Sequence, residues 1–393
     1  MTTYKDKTYG RNDEVTGLFK MFEAGRDVSM YGPRRLGKTF LLDRLADAAP
    51  ERGWTAVKVE LAGCTDSRAV FRELCSRIGQ QRSGGTAAIA WFKQRLGQFL
   101  GPRGEAGGAW YQPFISLDHE TYFERLIMAM QDDRKRTWLL LIDELPIFLK
   151  ALHDKGPDGV TAARNFMNLT SRLRQQCPRV RWLITGSIGI DPLAQAGAYL
   201  GVLAKFQSYA LAPLSPAQSK DYIRDQAAAG RLPHRQEITD AEAQALIESV
   251  GWLAPFYLDA LAQKLSGPLA HETMRAKEAV ETAVNQLLKP GEMATFGVWD
   301  EHLRKHYQGT DCAIACGALA ALARQAQGAD LDQMLAAIGR ADLGRASLRQ
   351  VLARLDDDGF IALDGRDNDS PHCVILNPLL RRWWQRFPPQ ANP

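Results

Sequence analysis

The stretch Gly32-Pro33-Arg34-Arg35-Leu36-Gly37-Lys38-Thr39-Phe40 sets two glycines, a lysine and a hydroxyl in the spacing G-x4-G-K-T. Each residue type answers a demand of phosphate chemistry. Glycines let the backbone curl so that N–H groups face anionic oxygens, the lysine reaches the β- and γ-phosphates, and the threonine hydroxyl is offered to Mg²⁺. The surroundings suit such a loop: Asp27 to Tyr31 (DVSMY) reads as a short strand running into it, and Phe40 to Leu45 (FLLDRL) continues with helical apolar spacing. A helix start here adds its own partial positive charge. Residues 32–40 are therefore the candidate phosphate cradle, and a fortuitous glycine turn is the competing reading.

A second motif lies downstream. The run TWLLLIDE (137–144) is hydrophobic and ends in Asp143 and Glu144. Strand carboxyl ends line the ligand crevice of a parallel sheet, so Asp143 is expected beside the Mg²⁺ held by Thr39, with Glu144 able to orient or deprotonate a water. An acidic helix start is the alternative. Room remains between Lys38 and Asp143 for one intervening strand and its helices. The following run RWLITGS (181–187) carries Thr185 and Ser187, candidate sensors of the attacking water or the γ-phosphate; a polar turn after a buried strand is the other reading.

Composition sets wide bounds. The chain has 393 residues, 45% hydrophobic and 24% charged, and a formal net charge of only +4, so nucleic-acid attraction would need a local patch. There is no run of about eighteen uncharged apolar residues, and the N-terminus MTTYKDKTYGRNDE lacks a signal-peptide core. The expectation is a cytoplasmic protein with no membrane contact. Six scattered cysteines form no C-x2-C pair and read as small buried residues in a reducing compartment. The seven histidines are dispersed, and no metal beyond Mg²⁺ is expected.

Strand-like segments DVSMY (27–31), TAVKVEL (55–61), TWLLLID (137–143), VRWLITG (180–186) and SYALAPL (208–214) alternate with helical patterns, which indicates a parallel sheet covered on both faces. Residues 82–113 turn glycine-rich and read as an insertion or excursion, with one short helix in AIAWFKQRLGQFL. After Pro213, helices are expected at 216–229, 240–250 with Thr239 as N-cap, 254–265 and 272–288, then a Lys289-Pro290-Gly291 break and a helical piece around 299–307. Three domains follow: an α/β core over 1–214, a helical lid over 215–310, and a third module over 311–393.

Together these segments resemble the AAA-related, archaeal-type and STAND-like P-loop ATPases with a catalytic glutamate. The resemblance rests on YGRNDE (9–14), the YGPRRLGKT loop (31–39), LLLIDE (139–144), LITGS (183–187), LAPLS (211–215), GWLAPFYL (251–258) and LNPLLRRWW (376–384), spread over nearly the whole chain. It implies ATP and ADP as ligands with Mg²⁺, and an N-terminal box near the base that makes Tyr9, Gly10, Arg11 and Glu14 candidate neighbours. It also implies a lid in which Pro255 closes on the base, although Trp252, Phe256 and Tyr257 read equally as lid core. One departure stands out: no arginine lies between Arg181 and Arg224. Arg34 or Arg35 would then supply charge to the phosphates, or turnover would be slow without a partner.

The third module is expected to hold helices at 314–325, 331–338 and 347–356, followed by a hairpin, the order of a winged helix. Leu348, Val351, Leu352 and Leu355 share one face of the last helix and leave Arg349, Gln350 and Arg354 on the other. DNA is one candidate partner and a protein partner or self-association the other, because residues 344–393 hold seven arginines but also six aspartates. Trp383 and Trp384 are expected in a packed C-terminal helix. The leading reading is an ATPase in which Glu144 activates water and Lys38 neutralises charge; the alternative is a nucleotide-gated switch or scaffold with little hydrolysis.

Overall fold

A computed structural model describes residues 11–80, 119–187, 189–340, 343–365, 368 and 370–390. The chain divides into two compact units: Met1–Gly32 with Lys38–Leu211, and Pro33–Gly37 with Ala212–Pro393. The expected excursion 82–113 and its short helix lie outside the described residues.

Five strands build the sheet of the first unit: β1 (Val28–Tyr31), β2 (Trp54–Glu60), β3 (Thr137–Asp143), β4 (Val180–Gly186) and β5 (Gln207–Ser208). Their order is β2-β3-β4-β1-β5 and every pairing is parallel. Apolar runs become strands here because helices cover both faces. In TWLLLID every residue after Thr137 is buried, so no polar alternation is needed. The fifth strand is much shorter than the SYALAPL reading. Its last rung is the Tyr209 N–H bond to the Ser29 carbonyl at 2.9 Å, after which Pro213 offers no N–H to extend a ladder.

Helices Asn12–Glu23, Lys38–Ala48, Ser67–Gln80, His119–Asp132, Leu145–His153 and Pro157–Gln176 pack on this sheet. Trp138 and Trp182 are fully buried among Phe123, Phe148 and Phe166, with Phe148 edge-on to Phe166 at 5.1 Å. Burying one such large side chain stabilises the fold by about 2–3 kcal/mol. Asp27, just before β1, accepts from the Trp182 backbone N–H at 2.9 Å and pairs with Arg174 at 2.7 Å, which ties the strand bottoms together.

The second unit is helical until its end. Helix Asp240–Val250 starts with a capping box in which Thr239 and Glu242 satisfy each other's backbone N–H groups. Helices Pro216–Ala228, Pro255–Ala262, Thr273–Leu287 and Met293–His306 accompany it, and the Lys289-Pro290-Gly291 break is a short 3-10 turn. Helices Gly309–Ala323, Leu331–Ile338 and Arg345–Asp357 follow, then the antiparallel pair β6 (Ile361–Asp364) and β7 (His372–Ile375), and helix Pro378–Arg386. The first of these three helices begins five residues earlier than its apolar spacing suggested. Tyr257 stacks on Phe296 at 6.1 Å and Phe296 on Trp383 at 5.1 Å, while Trp384 donates to Asp300 at 2.9 Å. Both terminal tryptophans are thus packed side chains. Among the described residues, no helix is long and apolar enough to cross a membrane.

Candidate functional site

The glycine loop follows β1 directly. Gly32 and Gly37 take φ of 151° and 89°, conformations that a Cβ would strain, so the backbone can turn between strand and helix. Lys38 opens the helix Lys38–Ala48 and bends back to donate to the Gly32 carbonyl at 2.7 Å. The Thr39 hydroxyl donates to Asp143 Oδ2 at 2.8 Å, joining residues 104 positions apart.

At the strand ends the sheet register sets polar residues in a row. Glu60 on β2 lies opposite Asp143 on β3. Ile142 lies opposite Ile184, so the next step on β4 is Thr185, which in turn faces Met30. Asp143 is 1% exposed and Thr185 is fully buried, yet Asp143 Oδ1 and Thr185 Oγ1 have no hydrogen-bond partner. Buried polar atoms are nearly always satisfied, so these two, on neighbouring strand ends, are candidate ligand contacts. Burial raises the Asp143 carboxyl above its ordinary range, opposed by the Thr39 hydrogen bond and reinforced by the nearby Glu144 charge.

Glu144 sits in the left-handed region, with φ 57° and ψ 38°, at the start of helix Leu145–His153. A non-glycine residue there carries strain of about 1–3 kcal/mol, which concentrates at functional positions. Its carboxylate Oε2 accepts from both the backbone N–H and the hydroxyl of Ser187, each at 3.0 Å. Gly186 permits this approach, because a Cβ on it would stand 2.4 Å from Pro146. Ser187 therefore touches Glu144.

Sequence reasoning passed over Lys58 and Glu60. Lys58 bonds Asp43 at 2.6 Å and the Thr39 carbonyl at 3.4 Å, and the Glu60 carboxyl is raised by burial and then by Asp143. The available signal was the alternation of charge with valine in TAVKVEL, unusual for a strand buried on both faces.

The loop tip, Pro33–Gly37, groups with the second unit. There Arg35 has φ 73° and its guanidinium lies 3.9 Å over the Phe256 ring. Burial lowers its pKa first, partly offset by Tyr257. Arg34 Nε is buried without a hydrogen-bond partner, and Leu36 is buried. Pro33 packs so closely on Gly359 that a Cβ there would come within 2.1 Å. Phe40 lies in the first turn of helix Lys38–Ala48. Pro255 is the first residue of helix Pro255–Ala262, and Trp252 and Tyr257 beside it are buried. Arg11, 2% exposed, pairs with Glu14 at 2.7 Å, whereas Tyr9 and Gly10 lie outside the described residues.

In the C-terminal part the three arginines of helix Arg345–Asp357 have partners. Arg354 pairs with Asp311 at 2.8 Å, donates to the His306 carbonyl at 3.0 Å and lies 4.5 Å over the Tyr307 ring. Arg349 donates to the Asn368 carbonyl in the turn between β6 and β7, and Arg345 pairs with Asp332.

A parallel sheet with a glycine loop after one strand and an Asp-Glu pair ending another is the arrangement of a P-loop nucleotide-binding fold. No family model matches the chain, and no curated protein matches its sequence. Solved structures are similar: a Walker-type ATPase of Pyrococcus abyssi aligns with a TM-score of 0.65 at 14% identity, covering 97% of this chain and 96% of that one. The ORC2 protein of Aeropyrum pernix, solved as ADPNP–ADP complexes, aligns with a TM-score of 0.52 at 13% identity over 96% and 92%. The chain has the fold of these archaeal P-loop ATPases.

Proposed function

We propose that the chain binds ATP with Mg²⁺ and hydrolyses it to ADP and phosphate, passing its nucleotide state to a C-terminal winged-helix module. The observation that carries this reading is Asp143, bonded to Thr39 through one carboxylate oxygen while the other is buried and unpartnered. A hydroxyl and a carboxylate are hard oxygen donors that suit Mg²⁺, so Thr39 and Asp143 would hold it. When bound, the ion supplies charge neutralisation at the β- and γ-phosphates.

The chain's own groups account for the rest. Residues 32–40 wrap the phosphates with backbone N–H groups, and Lys38, held at the Gly32 carbonyl, swings to a phosphate oxygen. Glu144 accepts the proton of the attacking water, Ser187 orients the Glu144 carboxylate, and Thr185 offers its hydroxyl to the water or the γ-phosphate. Arg34 and Arg35 are the candidate cations for the phosphates, Arg35 after leaving Phe256. Arg11 is a candidate neighbour of the base. The division runs 1–214 for the core, 215–310 for the lid and 311–393 for the winged helix. Six buried free cysteines accord with a cytoplasmic setting.

A second reading, a nucleotide-gated switch with little hydrolysis, is favoured by the engagement of Glu144 with Ser187 and of Arg35 with Phe256. Its output would be DNA, a protein partner or another copy of the chain. Glu144→Gln separates the two. Under the first reading it keeps ATP affinity while steady-state turnover drops by about 10²–10⁴-fold, the usual contribution of a general base. Wild-type turnover that is already negligible, with and without DNA, supports the switch, and unchanged turnover in the variant removes Glu144 from the chemistry.

A further inference from the structure

We propose that Glu60 is a further residue of the divalent-cation site, holding the ion's water shell, an inference that rests on the nucleotide-site reading above. The strand register places Glu60 opposite Asp143, in the row that Thr185 continues. Alternate residues of a strand share a face. Lys58, two positions earlier, reaches Asp43 and the Thr39 carbonyl on the helix that follows the glycine loop, so Glu60 shares the face of Thr39.

The Ala62 backbone N–H donates to Glu60 Oε1 at 3.1 Å and fixes the half-buried carboxylate. Glu60 stands opposite Asp143 in the strand register, and Glu144 follows Asp143 in sequence, so three acidic residues gather at the ends of β2 and β3. The nearest lysine does not neutralise them freely, since Lys58 is paired with Asp43 at 2.6 Å. Crowding alone would not identify a ligand. The independent sign is the unpartnered Asp143 Oδ1, on a side chain 1% exposed, together with the buried unpartnered Thr185 Oγ1.

Among the described residues, no group of three His, Cys, Asp or Glu side chains is arranged to ligate a metal directly. Mg²⁺ keeps several of its waters, and a carboxylate placed beyond the first shell accepts hydrogen bonds from them. The bland alternative is that Glu60 serves only to brace the turn at Ala62, which an amide oxygen would do equally well.

The test uses the full chain with Mn²⁺ as probe, titrated by the electron paramagnetic resonance of free Mn²⁺, with ADP present and without it. Glu60→Gln keeps the acceptor for Ala62 and removes the charge. It should weaken Mn²⁺ binding by about tenfold or more, as outer-shell substitutions do. Metal-free ADP affinity should stay unchanged. Asp143→Asn should weaken Mn²⁺ binding further. Equal Mn²⁺ affinity in wild type and Glu60→Gln, with Asp143→Asn impaired, would overturn the role of Glu60 and leave the site reading intact. Equal affinity in all three would overturn the site reading and this inference with it. Should Glu60→Gln fail to fold, Glu60→Asp decides the matter. A severalfold loss supports the proposal, and wild-type affinity from a carboxylate pulled back by one methylene overturns it.

Discussion

The strand ends of the first unit and the three arginines on helix Arg345–Asp357 of the second differ in what their polar groups touch. At the strand ends Asp143 Oδ1 and Thr185 Oγ1 are buried with nothing to bond, while Glu144 sits in a strained backbone conformation. In the C-terminal part, Arg345, Arg349 and Arg354 have partners within the same unit. Unsatisfied groups cost stability unless a ligand arrives, whereas satisfied ones need none. The unpartnered atoms at the strand ends accord with the nucleotide site proposed there. The contrast also argues that the arginines on helix Arg345–Asp357 do structural work before any recognition.

The largest effect is expected at the loop. Lys38→Met removes a cation that would form charge-assisted bonds to phosphate, each worth about 1.5–3 kcal/mol. A fluorescent ATP analogue should then bind roughly 100-fold more weakly, about 2.8 kcal/mol at 1.4 kcal/mol per factor of ten. The melting curve without nucleotide should barely move, because the bond from Lys38 to the Gly32 carbonyl only holds the side chain in place. A loss of affinity under threefold would make the strand ends as ligand-independent as the C-terminal part and dissolve the contrast.

An intermediate effect is expected from Arg354→Met. Its pair with Asp311, its bond to the His306 carbonyl and its position over Tyr307 are partly solvent-exposed, so their joint loss should cost about 1 kcal/mol. In a region of this size that lowers the melting temperature by about 2–4 °C. Duplex DNA retention in a gel-shift assay should not change beyond the loss of folded protein. A large fall in DNA affinity with an unchanged melting curve would make Arg354 a recognition residue after all.

The two regions also differed in how much the sequence disclosed. The glycine loop was legible because its chemistry fixes residue types at fixed spacing. The Thr39–Asp143 bond was foreshadowed because strand carboxyl ends are where such chemistry gathers. The helix-helix-helix-hairpin order was legible from apolar spacing, and so was the buried face of Leu348, Val351, Leu352 and Leu355. What spacing could not reveal was the fate of the other face. Arg354 is drawn to Asp311, 43 positions earlier, and only the packing of two helices decides that. Likewise, Ser187 was recognised as polar and well placed. Its attachment to Glu144 depended on the left-handed turn at Glu144 and the close pass of Gly186 against Pro146. Glu60 was hidden because its meaning lies in cross-strand register with Asp143, far away in sequence.

The smallest effect is the most diagnostic. Thr185→Val replaces a buried hydroxyl that has no partner with a methyl of nearly the same size. Leaving a polar group unsatisfied costs about 1–3 kcal/mol, so the valine protein, measured in EDTA without nucleotide, should be as stable as wild type or more stable by about 1 kcal/mol. Adding ATP analogue with Mg²⁺ should reverse the order, because wild type would then gain a ligand bond that valine cannot make, and turnover should fall. That reversal separates a group reserved for a ligand from one that is merely badly packed. A Thr185→Val protein less stable than wild type in EDTA would show that the hydroxyl is already satisfied in the free protein, and the strand ends would lose one of the two atoms that distinguish them.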